Sequence, residues 1–590
     1  MTPALRSTAR RDARQAEVAR LDAMHARYGA GRITLTLAAV GAWWFDAPWQ
    51  ALALLLSLFL IVTLLHSRVM TRLHRAKRAV AFWQSHLARV TDTWVGTGDD
   101  GVRFRREGHL YADDLDVFGR GSLFELVGTC QTEIGATTLA KWLLEPASLQ
   151  QIQERQAAVR ELVEREDLRE QVFVEGRDVG ARVHPAQMRA WALAPRALPA
   201  AALVWACRAM PLVLAGAIWW RTQGGPGGVI ELALLLQVGA ALWLRPRVLT
   251  IIHDVEAPSR DLDLLARLCR LIEQQTPSSP YLVRLGQQLT TGGVPASIHI
   301  GRLSQLVSVL ASRRNVMFAP VAAALLWATQ LAASIDGWRA RHGHQVPGWL
   351  DAIGEFEALV ALAGFTADHP DYAFPAMTDG PPTIVATRLA HPLLPQTAVA
   401  NDVALGGDAS ALLLISGSNM SGKSTFLRAV GLTTVLAHCG APVRAASCTM
   451  TPLAIGASIR VGDSLQDGHS RFFAEVLRLK HVVDLVKHHH GRALFLLDEV
   501  LSGTNSHDRR HGASGLLQGL VRLGAIGMTT THDLALGEIL PTLGRPGDHA
   551  HFSDRFDAGT LQFDYVLRPG PVQTSNALAL MRSVGLEIQE

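Results

Sequence analysis

The stretch 417–425 reads GSNMSGKST and holds the residue types that a polyphosphate requires. Gly417, Gly422, Lys423 and Ser424 occupy the fixed positions of the phosphate-loop pattern G-x-x-x-x-G-K-[ST]. Glycines let backbone N–H groups curl round phosphate oxygens. Lys423 can reach the outer phosphates, Ser424 offers a hydroxyl to Mg²⁺, and a following helix points its positive end at the anion. Ser418, Asn419, Met420 and Ser421 complete the loop, with Thr425 behind them. Downstream, ALFLLDE over 493–499 is an apolar strand ending in two acids, Asp498 and Glu499. An Asp so placed can hold Mg²⁺, and a Glu directly after it can polarise an attacking water. His532 closes another strand-like run, TTTHD over 529–533, from which it can reach a terminal phosphate. Gly468 and Ser470 open a further helix, whose N-terminus could bind an anion. These parts spell ATP with Mg²⁺, cleaved to ADP and phosphate.

The elements that must position these residues follow from pattern. The apolar run 412–415 precedes the loop as a buried strand, and 425–435 reads as the helix after it. From about 376 to 590, strand-like and helical segments alternate, which predicts an α/β domain. Before it, 118–375 shows apolar positions at helical spacing and predicts an all-α domain. Pro370 to Pro382 reads as a linker, and so does 81–117.

Composition adds a membrane to the expectation. Of 590 residues, 48% are hydrophobic and 18% charged, against about 25% charged in ordinary soluble domains. The net charge of +4 carries no strong nucleic-acid signature. Cys130, Cys207, Cys269, Cys439 and Cys448 lack metal or disulfide spacing and suggest reduced thiols. Within 1–80, apolar arms at 33–45 and 49–65 flank the break Asp46-Ala47-Pro48, with arginine-rich stretches outside them. This predicts a membrane hairpin with both ends cytoplasmic; a buried soluble hairpin is the alternative. A second hairpin is expected from arms at 198–220 and 229–244, although Arg208 is expensive in lipid. The run 316–335 is expected as a buried core helix.

The order GSNMSGKST, the 463–473 stretch, LLDEVLSGTNSHD and TTTHD resembles the MutS ATPases of DNA mismatch repair. Asn419-Met420 is the most specific mark; His391-Pro-Leu-Leu394 and Ser122-Leu-Phe-Glu-Leu look like further MutS segments. The resemblance implies a multidomain chain: an all-α core and lever domain with the membrane hairpins inserted, then an α/β P-loop ATPase domain of the ABC type. It implies that Ser470 completes the site of a partner subunit, so that hydrolysis needs a homodimer with composite sites. It also implies DNA as partner. The departures are Ser418 for a usual proline, Arg471 for a usual threonine, and Ala398-Val399-Ala400 where an adenine-stacking aromatic is usual. No segment matches a mismatch-reading domain, since the Phe173-Val-Glu175 triplet lies within a helical core segment. The expectation is a multi-pass inner-membrane protein, its core and ATPase domains cytoplasmic, with ATP state coupled to arm movement on DNA. The alternative is a membrane-anchored ATP switch acting on protein partners.

Overall fold

The computed structural model describes residues 2–176, 185–198, 201–311, 319–418, 420–460, 471–557 and 560–572. Ser470, Asn419 and most of the 463–473 stretch lie outside them. The chain forms two compact units: one of residues 1–129, 139–166 and 359–590, the other of 130–138 and 167–358.

The first unit opens with a long helical hairpin, Pro3–Trp44 and Trp49–Val90. The break between them falls where Asp46 (φ +50°) turns the chain and Pro48 caps the second helix. The arginine-rich flanks are thus continuous with the apolar arms. The stem is sealed by Leu21, Val69, Leu73 and Ala76. Towards the tip the apolar side chains face outward: Leu37, Trp44, Phe45, Trp49 and Leu54 are each 67–83% exposed. The foot is anchored by Asp368, which accepts from His86 Nδ1 (2.5 Å) and Arg89 Nε (2.6 Å). Burial alone would raise the Asp368 carboxyl; His86 and then Arg89 outweigh it and hold it well below the usual carboxylate range.

The stretch 81–117, expected as a linker, is packed. The second helix continues to Val90, and Leu115 and Val117 are fully buried. Asp114, buried, accepts from the backbone N–H groups of Ile459 (2.9 Å) and Arg460 (2.6 Å) and from Arg478 Nη2 (2.6 Å). Pro370 to Pro382 likewise contributes a short strand, Ala376–Met377, pairing in parallel with Ser447–Met450.

The α/β part of this unit has two sheets. A six-stranded sheet runs in the order 560–569, 547–557, 412–416, 526–531, 493–497, 454–458. All neighbours are parallel except the first pair. Leu412–Ser416, Ala493–Leu497 and Ile526–Thr531 are buried throughout, which is why they read as unbroken apolar or small-residue runs. A second sheet, ordered 376–377, 447–450, 383–389, 401–406, packs beside it. Helix Lys423–Cys439 is buried along almost its whole length.

The second unit is helical. Ala201–Thr222 and Gly228–Glu273 form its hairpin, and Trp327–His342 and residues 346–358 supply much of its core. The run expected as one buried helix at 316–335 is broken: Leu326 adopts φ +48° between Ala319–Ala324 and Trp327–His342. Its later part is buried at Ala332 and Ile335, whereas Val321 and Leu325 are exposed. Phe173 is buried in the helix Glu166–Gly176, and Glu175 pairs with Arg267 (2.8 Å). Among the described residues two helices are long and apolar enough to cross a membrane, Trp49–Val90 and the segment 228–255.

Candidate functional site

The parallel register sets the site. Thr531 lies opposite Ser416, and Thr529 opposite Leu497, so the residues following each strand emerge along one edge of the sheet. The loop after Ser416 turns at Gly417 (φ +148°) and Gly422 (φ +104°), conformations that glycine alone adopts freely. A Cβ at Gly417 would stand 2.7 Å from the Phe552 carbonyl, so the second glycine property, close approach, is also required. Gly422 then opens the helix that begins with Lys423.

Lys423 is buried, and its ammonium donates to the loop carbonyls of Gly417 (2.9 Å) and Ser418 (2.8 Å). Burial lowers its pKa below the usual lysine range, with Glu499 and Asp498 opposing. The side-chain hydroxyls of Ser418 and Ser421 are buried without a hydrogen-bond partner among the described residues. Orphaned donors of this kind suit a bound oxyanion. Met420 projects outward, 84% exposed, and Thr425 lines the adjoining cavity.

Ser424 donates to Asp498 Oδ2 (2.6 Å), which brings a hydroxyl and a carboxylate together at the mouth of the loop. These are hard oxygen donors, the set that suits Mg²⁺ alongside phosphate oxygens. The other carboxylate oxygen of Asp498 accepts a short hydrogen bond from Thr530, and Thr530 in turn accepts from the Glu499 N–H (3.1 Å). Glu499 and Leu501 both adopt left-handed backbone, φ +48° and +58°. For non-glycine residues this costs on the order of 1–3 kcal/mol each and persists only where the surroundings enforce it. Thr530 fixes the first, and the buried carboxylate of Glu475 fixes the second by accepting the Leu501 N–H (2.5 Å). Glu499 then meets His532, with Nε2 2.8 Å from Oε1, and the same nitrogen is 3.5 Å from Lys423 Nζ. Lys423, Ser424, Asp498, Glu499 and His532 therefore converge on one point.

Beside the loop lies a cavity of about 590 Å³, within the range of small-molecule sites. Its wall includes His391, Ala398, Val399, Phe552 and Tyr565. Phe552 is buried and makes an edge contact with Phe426, so its face is committed. Tyr565 is 46% exposed and sits against Gly422, where an added Cβ would stand 3.2 Å from its ring. Its strand is tied down by Asn401, which donates to the Tyr565 carbonyl (3.0 Å) and accepts from the Leu567 N–H (2.7 Å). Tyr565 thus brings an aromatic ring to the cavity wall, where 398–400 offer none. Sequence reasoning missed Thr530, Glu475 and Tyr565. No local sequence signal marks them; Thr530 and Glu475 show their role only through the left-handed turn at Glu499 and Leu501 that they hold.

A glycine loop at the end of a central parallel strand, opening a buried helix beside an acid-tipped neighbour strand, defines the strand–loop–helix class of α/β domain. Comparison with known proteins narrows the class. The family model for MutS domain V matches residues 413–588, and that for MutS domain III matches 109–180. The DNA mismatch repair protein MutS of Natronomonas pharaonis is 32% identical over 242 residues, 40% of this chain and 27% of that protein. Endonuclease MutS2 of Thermus thermophilus is 33% identical over 242 residues, 41% of this chain and 31% of its own length. Endonuclease MutS2 of Geobacillus thermodenitrificans is 31% identical over 252 residues, 42% and 31% of the two chains. These matches, over two MutS domains and to relatives about 32% identical, support a MutS-family protein. The chain spans less than a third of the length of each of these relatives.

Proposed function

We propose that this protein is a membrane-anchored MutS-family ATPase that works as a homodimer and couples ATP binding and hydrolysis to the holding of DNA. The observation that carries the reading is the convergence of Lys423, Ser424, Asp498, Glu499 and His532 beside a cavity of nucleotide size.

The chain's own residues act as follows. Lys423 exchanges the carbonyls of Gly417 and Ser418 for the outer phosphate oxygens, which lets its buried charge find a stronger partner. The hydroxyls of Ser418 and Ser421 add donors to the cradle. Tyr565 offers a face on which the base stacks. Ser424 and Asp498 would hold Mg²⁺, which when bound neutralises charge on the phosphate oxygens. Glu499 orients the attacking water and takes up its proton, while His532 donates to the terminal phosphate as negative charge builds there. The His532–Glu499 contact therefore opens when ATP enters. Ser470, by family resemblance, completes the site of the second subunit.

The exposed apolar hairpin tips, bounded by arginine-rich stems, support anchoring in the inner membrane with the ATPase and core parts on the cytoplasmic side. Topology mapping of the termini and of the loop near Gly224 tests this. DNA as partner rests on the family. Binding of duplex and branched DNA across a salt series checks it, because phosphate contacts make affinity fall steeply with salt. No binding even at low salt favours the second reading, an ATP switch acting on protein partners, which the near-neutral net charge of +4 supports.

A further inference from the structure

We propose that the helical second unit carries a binding site for the phosphate headgroup of an anionic phospholipid, at the foot of its apolar hairpin. This rests on the membrane reading above. A cavity of about 920 Å³ opens there, and Arg196, Arg208, Arg302 and Arg341 line it, with no Asp or Glu among the described residues of its wall. The nearby buried acid, Asp336, is already committed. It accepts from the N–H groups of Ala197 (3.3 Å) and Leu198 (3.2 Å) and from Arg339 (2.7 Å), and stands 3.9 Å from Arg196. Among the described residues Arg208, Arg302 and Arg341 form no ion pair. Arg208 reaches only the Ser334 hydroxyl, at 3.5 Å, and stands over the Trp205 ring at 5.0 Å. Arg341 donates to the Gly337 carbonyl of its own helix (3.0 Å), which leaves most of its fork free.

Several guanidinium groups converging without a counter-ion call for an oxyanion, and the planar fork suits phosphate in two-point contact. The rest of the wall says which phosphate. It is largely apolar, including Trp205, Leu306 and Val309; Trp205 and Arg208 belong to the helix Ala201–Thr222, whose Leu212 is 75% exposed. A lipid satisfies both halves: its phosphate meets the arginines and its acyl chains lie along the apolar helix faces. Basic pockets at the cytoplasmic ends of membrane helices take headgroups in this way. A duplex would need a continuous polar basic track instead. The site also accounts for Arg208, which would be costly in hydrocarbon without a partner. The next helix, Gly228–Glu273, carries Arg245 and Arg247, with Arg247 over Trp243 at 5.0 Å.

The test uses the full chain in detergent, with native mass spectrometry of bound lipid during titration with phosphatidylglycerol or with phosphatidylcholine of the same acyl chains. We expect selective retention of phosphatidylglycerol. Arg302→Gln should weaken it about fivefold, and Arg302→Gln with Arg341→Gln on the order of twentyfold, from about one surface-charge increment per arginine. Arg302→Lys should keep most of the affinity, and phosphatidylcholine binding should not change. Equal binding of the two lipids, or selectivity untouched by the double variant, overturns the proposal. Displacement by inorganic phosphate identifies a free-anion site instead, and displacement by a short DNA duplex a nucleic-acid site; either also overturns it. Flotation with phosphatidylcholine vesicles separates the two levels. A chain that does not float removes the membrane reading and this site with it, whereas a chain that floats without headgroup selectivity removes the site alone.

Discussion

Thr530 is the hinge of the proposed chemistry although it touches no substrate. It is buried, donates to Asp498 and accepts the N–H of Glu499, so it fixes both acids at once. Thr530→Val keeps the shape and removes the hydroxyl. A hydrogen bond to a charged group contributes about 1.5–3 kcal/mol, and leaving the Glu499 N–H unsatisfied costs about 1–3 kcal/mol more. The two losses share one hydroxyl and do not simply add, so a stability loss of about 2–4 kcal/mol is expected in denaturant unfolding. The left-handed turn at Glu499 loses what holds it, and its carboxylate leaves the position from which it would activate water. Turnover should then fall on the order of 10–10², while KM for ATP changes less than about threefold, since Lys423 and Ser424 are untouched. Thr530→Ser retains the hydroxyl, and deleting its methyl costs on the order of 1 kcal/mol; turnover should stay close to that of the parent. Steady-state ATP hydrolysis with parallel unfolding curves checks this. Equal kcat in Thr530→Val and the parent, or a Ser variant as impaired as the Val one, refutes the positioning argument.

Two further outcomes follow from the same site. Tyr565→Ala should weaken ATP binding by about tenfold or more, since stacking on an aromatic contributes about 1–3 kcal/mol per base, whereas Tyr565→Phe should bind as the parent does; fluorescent-nucleotide titration distinguishes them. The second concerns pH. His438 is buried, accepts the Ala147 N–H at Nδ1 (3.0 Å) and donates from Nε2 to the Leu453 carbonyl (2.8 Å), an arrangement only the neutral ring can make. Burial lowers its pKa from 6.5 to about 4. His391 in the cavity wall is lowered to about 4 as well, by burial and then by Arg428 and Arg444. Both folded-state values lie below the unfolded one, so the stability is present above about pH 6.5 and lost as pH falls towards 4. At pH 5 each histidine should cost about 2 kcal/mol relative to pH 7. Unfolding at the two pH values measures it, and His438→Gln, which can still donate and accept, should flatten the dependence.

Much of the loop was legible because its chemistry is local. Gly417, Gly422, Lys423 and Ser424 are neighbours in sequence, and an apolar strand before them leaves one place for the phosphate cradle. Asp498, Glu499 and His532 were legible as strand ends, since parallel strands deliver their carboxyl ends to one edge. Thr530 was hidden among three consecutive threonines, whose pattern does not say which hydroxyl faces the acids. Glu475 looked like one more charge on an amphipathic helix. Tyr565 could not be placed because its nearness to Gly422 depends on the last strand pairing across the sheet. The 81–117 stretch read as a linker because it lacks helical or strand period, yet Asp114 gathers remote backbone donors and buries the segment. The break at Asp46-Ala47-Pro48 was legible in full, because a proline and a left-handed aspartate are local signals.

The central claim is that this site cleaves ATP with Glu499 as the group that activates water. The most direct measurement compares ATP retention and turnover in the parent and in Glu499→Gln, with Mg²⁺ present. Glu499→Gln should retain ATP and lose turnover by a factor on the order of 10²–10⁴, the contribution of a positioned general base. Undiminished turnover in Glu499→Gln, or a parent chain that binds no ATP, would contradict the account.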